Sequence, residues 1–347
     1  VLHNVPSIND HAAVKDRALF LALDVHLLQA HQVVVQIALY ILCVDTEIAW
    51  LAVRLLGALA RTSTFQATDA FGPLRARTSR NRLAGLLDMA GETARVTSGV
   101  LAWLEADTGM DADSDNLNYD ADVNGNYHAS GTTAHMDMNS SLSDADGAAS
   151  LNDAATGILP AKIQKELLDL FLEQLVPDAP APNVAHLLLG FDMDASDPDR
   201  LVHESRDAIL LTLVQRVTPP CTWPPTLAER CYAVLQRACV HPYTSASMLR
   251  FLRTHDFVAT QLGSLPLVPL SVTSSSSATG PSFGTLMYAS GETVNTRTEW
   301  ALALLRTHAH ILSLVALELH TLAAHGQLQR AVPLMTLLLG EPVMHGT

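Results

Sequence analysis

The residues able to do chemistry are scattered along the chain, and each pattern they form breaks at a definable point. Gly280-Pro281-Ser282-Phe283-Gly284 has the GxSxG spacing that exposes a nucleophilic serine in many hydrolases. That chemistry needs a sharp turn with a strand before the serine and a helix after it. Here the serine lies in a serine-rich run, so the spacing reads as coincidence. Asp120-Ala121-Asp122-Val123-Asn124-Gly125 reproduces the first half of a calcium loop, but the twelfth position, where a bidentate glutamate closes the shell, is Gly131. His308, His310, His320 and His325 suggest a metal cluster. None of their spacings is i, i+3 or i, i+4, the separations that put two imidazoles on one helix face. Cys43, Cys221, Cys231 and Cys239 form no CxxC pair and have no histidine at zinc spacing, which fits free thiols in a reducing compartment. Asn139-Ser140-Ser141 is a glycosylation sequon, meaningful only in a secreted protein. No phosphate-binding or dinucleotide fingerprint is found. The expectation is a protein with no catalytic residue, no metal site and no cofactor.

One charged pair stands out. Arg250 and Arg253 lie one turn apart in Met248-Leu249-Arg250-Phe251-Leu252-Arg253-Thr254. They are the candidate contact for an acidic or polar partner segment; the competing reading is salt bridges to a neighbouring helix.

The elements that carry these residues read as helical. Hydrophobic residues make up 48% of the 347, aromatics only 5%, and leucine and alanine dominate, a balance that favours helix over strand. Formal net charge is −14, but no Lys or Arg occurs between Arg95 and Lys162, where Glu105 and ten aspartates lie. Without those 11 acids, 24 remain against 21 bases, so the acidity belongs to one segment. No basic face for phosphate exists, and direct nucleic-acid binding is not expected. The most apolar run, Val33 to Val44, is too short to cross a membrane, so membrane insertion is not expected either. The chain starts at Val1 and stops after Met344-His345-Gly346-Thr347, and reads as a piece of something longer.

Residues 1–107 are expected to form helical repeats. Ile48, Leu51, Leu55 and Leu59 share a predicted face, and Asp45 is placed as an N-cap. Residues 108–157, rich in Asp, Asn, Ser and Gly, are expected to be a disordered acidic insert. Helical repeats resume over 158–270: Ile163, Leu167, Leu170 and Phe171 form one face, and Leu227, Cys231, Val234, Leu235 and Ala238 another. Asn183 is expected to cap a short helix through Phe191, Asp197 and Pro198 to start a helix ending near Val217, and Thr226 with Glu229 to form a capping box. Residues 271–284 form a Ser-rich loop. Residues 285–347 hold a long helix, from about Met287 to His325, and a terminal helix from about Gln327 to Leu339. No alternating strand pattern is apparent. The fold class expected is all-α, an α-solenoid of HEAT/armadillo-like helical repeats with two disordered inserts; a compact helical bundle is the rival.

Three stretches carry a family resemblance: Pro182 to Asp192, Leu227 through Thr244 to Phe257, and Glu299-Trp300 to Leu339. In that order they resemble the large α-solenoid scaffold nucleoporins of the nuclear pore inner ring, most closely the bigger of the two related giant members. The likeness covers the chain from about Leu159 onward; the first 107 residues share only their helical character. It implies a superhelical stack without enzymatic activity, located at the nuclear pore complex of the nuclear envelope. It also implies partners: linker nucleoporins, including the adaptor that anchors the central channel complex, within a large symmetric assembly that supports nucleocytoplasmic transport. Two other functions compete, a soluble HEAT-like adaptor or nuclear transport receptor, and an all-helical enzyme.

Overall fold

A computed structural model describes residues 23–71, 78–107, 147–193, 208–219, 221–265, 283–287 and 293–339. Two short helices, α1 (Leu23–Gln29) and α2 (His31–Leu39), lead through a 3-10 turn at Tyr40–Leu42 to α3 (Thr46–Arg61). Asp45 caps α3, its Oδ1 accepting from the N–H groups of Glu47 (2.9 Å) and Ile48 (3.2 Å). The buried face of α3 is not the leucine face the periodicity predicts. Ile48 and Leu51 are 43% and 55% exposed, while Ala49, Ala52, Val53, Leu56, Leu59 and Ala60 are buried. Small side chains admit a neighbouring helix more closely, and that closer packing outweighs the larger apolar area of the leucine stripe.

After α4 (Ser63–Gln66), a hairpin pairs β1 (Thr68–Phe71) antiparallel with β2 (Thr78–Asn81), in register Thr68 with Asn81. A second hairpin pairs β3 (Phe283–Met287) with β4 (Thr293–Arg297). Both were missed by pattern reading, because four- and five-residue strands rich in Thr and Asn show little hydrophobic alternation. The second hairpin occupies the start of the segment expected as one long helix.

The remaining helices are α5 (Arg82–Met89), α6 (Thr93–Glu105), α7 (Gly147–Gln174), α8 (Val184–Leu188), α9 (Ala208–Val217), α10 (Pro225–Val240), α11 (Ser245–Thr254), α12 (Phe257–Gly263), α13 (Thr298–Ala324) and α14 (Leu328–Leu339). The acidic insert falls outside the described residues up to 146, and α7 already includes its last turns from Gly147. The expected start of α9 at Asp197 and Pro198 also lies outside them. Asn183 caps α8 in a capping box with His186, but the helix ends at Leu188. The Thr226–Glu229 box does not form: Pro225 occupies the first turn of α10, whose N-cap is Pro224, so the helix starts two residues earlier than the box requires. The predicted apolar faces of α7 and α10 are buried as expected.

Side-chain pairs fix the direction of neighbouring helices. Arg54 pairs with Glu166 and Arg61 with Glu173, and both partners advance by seven residues, so α3 and α7 run the same way. Asp169 meets Arg230, and the Leu172 carbonyl meets Arg237, so α7 and α10 run the same way. Glu229 faces His310 and Gln236 bonds Ser313, so α10 and α13 do too. The helices α3, α7, α10 and α13 therefore form one parallel layer, each packed on the next. The intervening helices pack beside it: α6 against α9, α11 against α12, and α12 against α14. A layer of parallel helices joined by returning ones is the architecture of an all-α solenoid, with a continuous core from Val34 to Leu334.

Helix C-termini in this stack are closed by polar side chains of other helices. Gln164, fully buried on α7, donates through Nε2 to the carbonyls of Trp103 (3.0 Å) and Ala106 (2.8 Å) at the end of α6. Gln174 donates to Ala60 O (3.2 Å) at the end of α3, and Asn183 Nδ2 to Gln174 O (2.7 Å) at the end of α7. Tyr232 and Gln261 both donate to Val217 O, the last carbonyl of α9, at 3.0 and 3.2 Å. These satisfy acceptors that a helix end leaves without intrahelical partners. Gln164→Leu keeps the volume and strips two of these bonds. It is expected to lower unfolding free energy by about 1–3 kcal/mol, read from the urea midpoint at unchanged slope.

Candidate functional site

The chemistry-bearing residues do not converge. Ser282 lies outside the described residues, and the element that follows it is strand β3 rather than the helix a nucleophile elbow needs. The calcium-like run 120–131 and Asn139 also lie outside them. On α13, His310 Nδ1 lies 2.7 Å from Gln236 Oε1 and its Nε2 3.6 Å from Glu229. His325, just past the end of α13, has its Nδ1 2.7 Å from the Thr321 carbonyl of that helix. Among the described residues, no three His, Cys, Asp or Glu side chains gather as metal ligands. Cys231 and Cys239 are buried in the α10 core, where burial pushes both thiols up, and all four cysteines are free.

Two buried imidazoles would look catalytic on burial alone. His186 and His241 are 0% and 2% exposed, with ring centroids 4.8 Å apart, and neither Nε2 has a protein partner. Burial first, then His241, holds His186 down to about 3, and burial also lowers His241. His186 Nδ1 lies 2.8 Å from Asn183 Oδ1, tying it to the α8 cap. Tyr243 and Phe191 close around the ring, and its work is packing.

Arg253 and Arg250 both sit on α11, as their spacing predicts. Arg253 donates from Nε to Glu318 Oε1 of α13 at 2.6 Å, and Glu318 is 4% exposed. The geometry of Arg253 is thus that of a bridge between helices, whereas Arg250 is exposed at the surface.

Two concavities lie between helices. The first, about 380 Å³, runs along α3 and α7 and is lined by Val53, Gly57, Arg54, Arg61, Glu166 and Glu173 among others. Its charges are already matched: Arg61 Nη1 meets both carboxylate oxygens of Glu173 at 2.8 and 2.9 Å, and Arg54 stacks on Trp50 at 4.8 Å. Burial raises Glu166, and Arg54 opposes that rise. The second, about 840 Å³, lies between α2 and α5, with Val33, Ile37, Tyr40, Leu86 and Met89 in its wall. Sequence reasoning missed both. The seven-residue repeat shared by Arg54/Arg61 and Glu166/Glu173 was the available signal for the first. The second joins residues about fifty apart, and nothing local marks it.

Matched charges, shallow grooves and a stacked helical layer define a scaffold whose surfaces are interhelical seams. A family model described as nuclear pore complex scaffold, nucleoporins 186/192/205 (Nup192), matches residues 8–346, so the chain belongs to this family of nuclear pore scaffold proteins. It is a component of the nuclear pore complex in the nuclear envelope. No curated protein matches the chain. Among the described residues one helix, α13, contains a stretch, Leu302–Ala324, that by length and composition could cross a membrane, at mean hydropathy 1.4, where the sequence led to no such expectation. Its inner face carries the buried Glu318 and the bonds to Gln236, and packs on α10.

Two outcomes follow. Arg253→Ala strands the buried Glu318 carboxylate and is expected to cost about 2 kcal/mol, discounted because Arg253 is one-third exposed. Arg250→Ala is expected to cost less; chemical denaturation separates them. His186 has a folded-state pKa below its unfolded value, so below about pH 6.5 the unfolded chain binds the extra proton. Its contribution is full above that pH and is lost as pH falls toward about 3. His186→Gln is expected to flatten this acid limb, measured as urea midpoints from pH 7 to 4.

Proposed function

We propose that this chain acts as a non-enzymatic strut of the nuclear pore inner ring, holding linker nucleoporins and thereby supporting nucleocytoplasmic transport. The observation that carries this is the family match across 8–346, joined to a parallel layer of four stacked helices. A stack of this kind offers long seams suited to amphipathic helices and extended peptides. Repeated over symmetric copies, weak seam contacts add up through effective concentration. The apolar groove between α2 and α5 suits the hydrophobic side of a short motif, and exposed Arg250 on α11 suits an acidic one. HEAT-like and armadillo-like repeats remain the proposed description of the helical units.

The test is photo-crosslinking in intact nuclear envelopes, with a photoreactive residue at Met89 in the groove or at Arg250. Linker nucleoporins are expected among the adducts, and a fluorescent fusion is expected to stay at the nuclear rim through photobleaching. Adducts with cargo or a small GTPase, together with rapid exchange, would instead identify a shuttling receptor.

A further inference from the structure

The leucine stripe that periodicity marks on α3 is turned away from the core, yet it is built like a seam. Ile48, Leu51, Leu55 and Ala58 follow one another at intervals of three, four and three, the spacing by which one helix packs along another. Ile48 and Leu51 are 43% and 55% exposed, and Leu55 and Ala58 are half-buried. At about 100° per residue, Leu55 lies about 160–200° round the helix from Val53 and Gly57, which line the groove toward α7. The stripe is therefore the side of α3 opposite α7. Within the layer, α7 packs between α3 and α10, and α10 between α7 and α13. Among the described residues, α3 has a layer neighbour on its α7 side only.

The chain itself supplies a segment of suitable length that enters at the matching end. Residues 1–22 lie outside the described ones, and α1 begins at Leu23. Asp24, 1% exposed, accepts a hydrogen bond from the hydroxyl of Thr64, three residues past the end of α3. The chain thus arrives beside the C-terminal end of α3, and α1, α2 and the 3-10 turn carry it back to the N-terminal end. Elsewhere in the stack, each helix of the layer is followed by returning segments and then by the next helix of the layer. A stretch preceding α1 and lying along the stripe repeats that order, and it runs the same way as α3. The 16 residues of α3 span about 24 Å, and residues 8–22 at helical rise span about 22 Å. The family match begins at residue 8, so it takes in this stretch. In the sequence Val14, Ala18 and Leu21 recur at intervals of four and three, clear of Lys15, Asp16 and Arg17.

We infer that residues 8–22 of this chain seat on the stripe from Ile48 to Ala58, parallel to α3, as the first member of the layer. The stripe is then an internal seam and not a landing site for a partner protein.

The full 347-residue chain carries the test. A photoreactive residue at Ala58 is expected to label the same molecule near Leu21, and one at Ile48 to label it near His11, both read by mass spectrometry of the adducts. Val14→Glu with Leu21→Glu puts charge into the contact and is expected to cut both adducts at least about tenfold. Leu51→Glu and Val14→Glu are each expected to lower the urea midpoint. Together they are expected to lower it no further than the stronger one alone, because either opens the same contact. Additive effects, or no effect of Val14→Glu, overturn the inference. So do labelling in the reversed order and the absence of adducts with residues 8–22. Adducts that join two molecules in place of the internal ones also overturn it, and would make the occupant a second copy.

Discussion

Everything in this stack depends on how helix ends are closed. A helix that stops inside a protein leaves carbonyls without partners, and burying them unpaired is costly. Here the ends of α3, α6, α7 and α9 are met by Gln174, Gln164, Asn183, and the pair Tyr232 and Gln261. Each donor belongs to a different segment from the helix it closes. Apolar contacts are tolerant of sliding, but an amide donor reaches its acceptor at one position only. The hydrophobic seams supply cohesion, and the buried amides fix where along its axis each helix comes to rest.

With that position fixed, the charges acquire a role they would not have alone. Surface ion pairs contribute little to stability one by one. Along the α3–α7 seam they repeat in step with the helices, and with the Arg230–Asp169 pair between α7 and α10 they define which face meets which neighbour. A molecule organised this way satisfies the charges of its α3–α7 groove between its own helices. What it contributes to the nuclear pore scaffold is the placement of surfaces.

Much of the fold was legible in the sequence. Asp45 and Asn183 announced their caps, and the heptad-like faces of α7 and α10 announced their cores, because local chemistry and burial agree there. The face of α3 was misread, since periodicity ranks leucine above alanine whereas packing rewards the smaller residue at a close crossing. The two hairpins lacked alternation and were missed. The partners of Arg253 and Arg61 come from residues 65 and 112 positions away, and no local pattern encodes such pairings.

The two sides of the α3–α7 seam are held by different forces. On the groove side Arg61 and Glu173 are about half exposed, and on the inner side lie Leu56, Leu167 and Phe171 in the dry core. Dissolved ions screen the first and leave the second almost untouched. A rise in ionic strength therefore loosens one margin of this seam and leaves the other as it was.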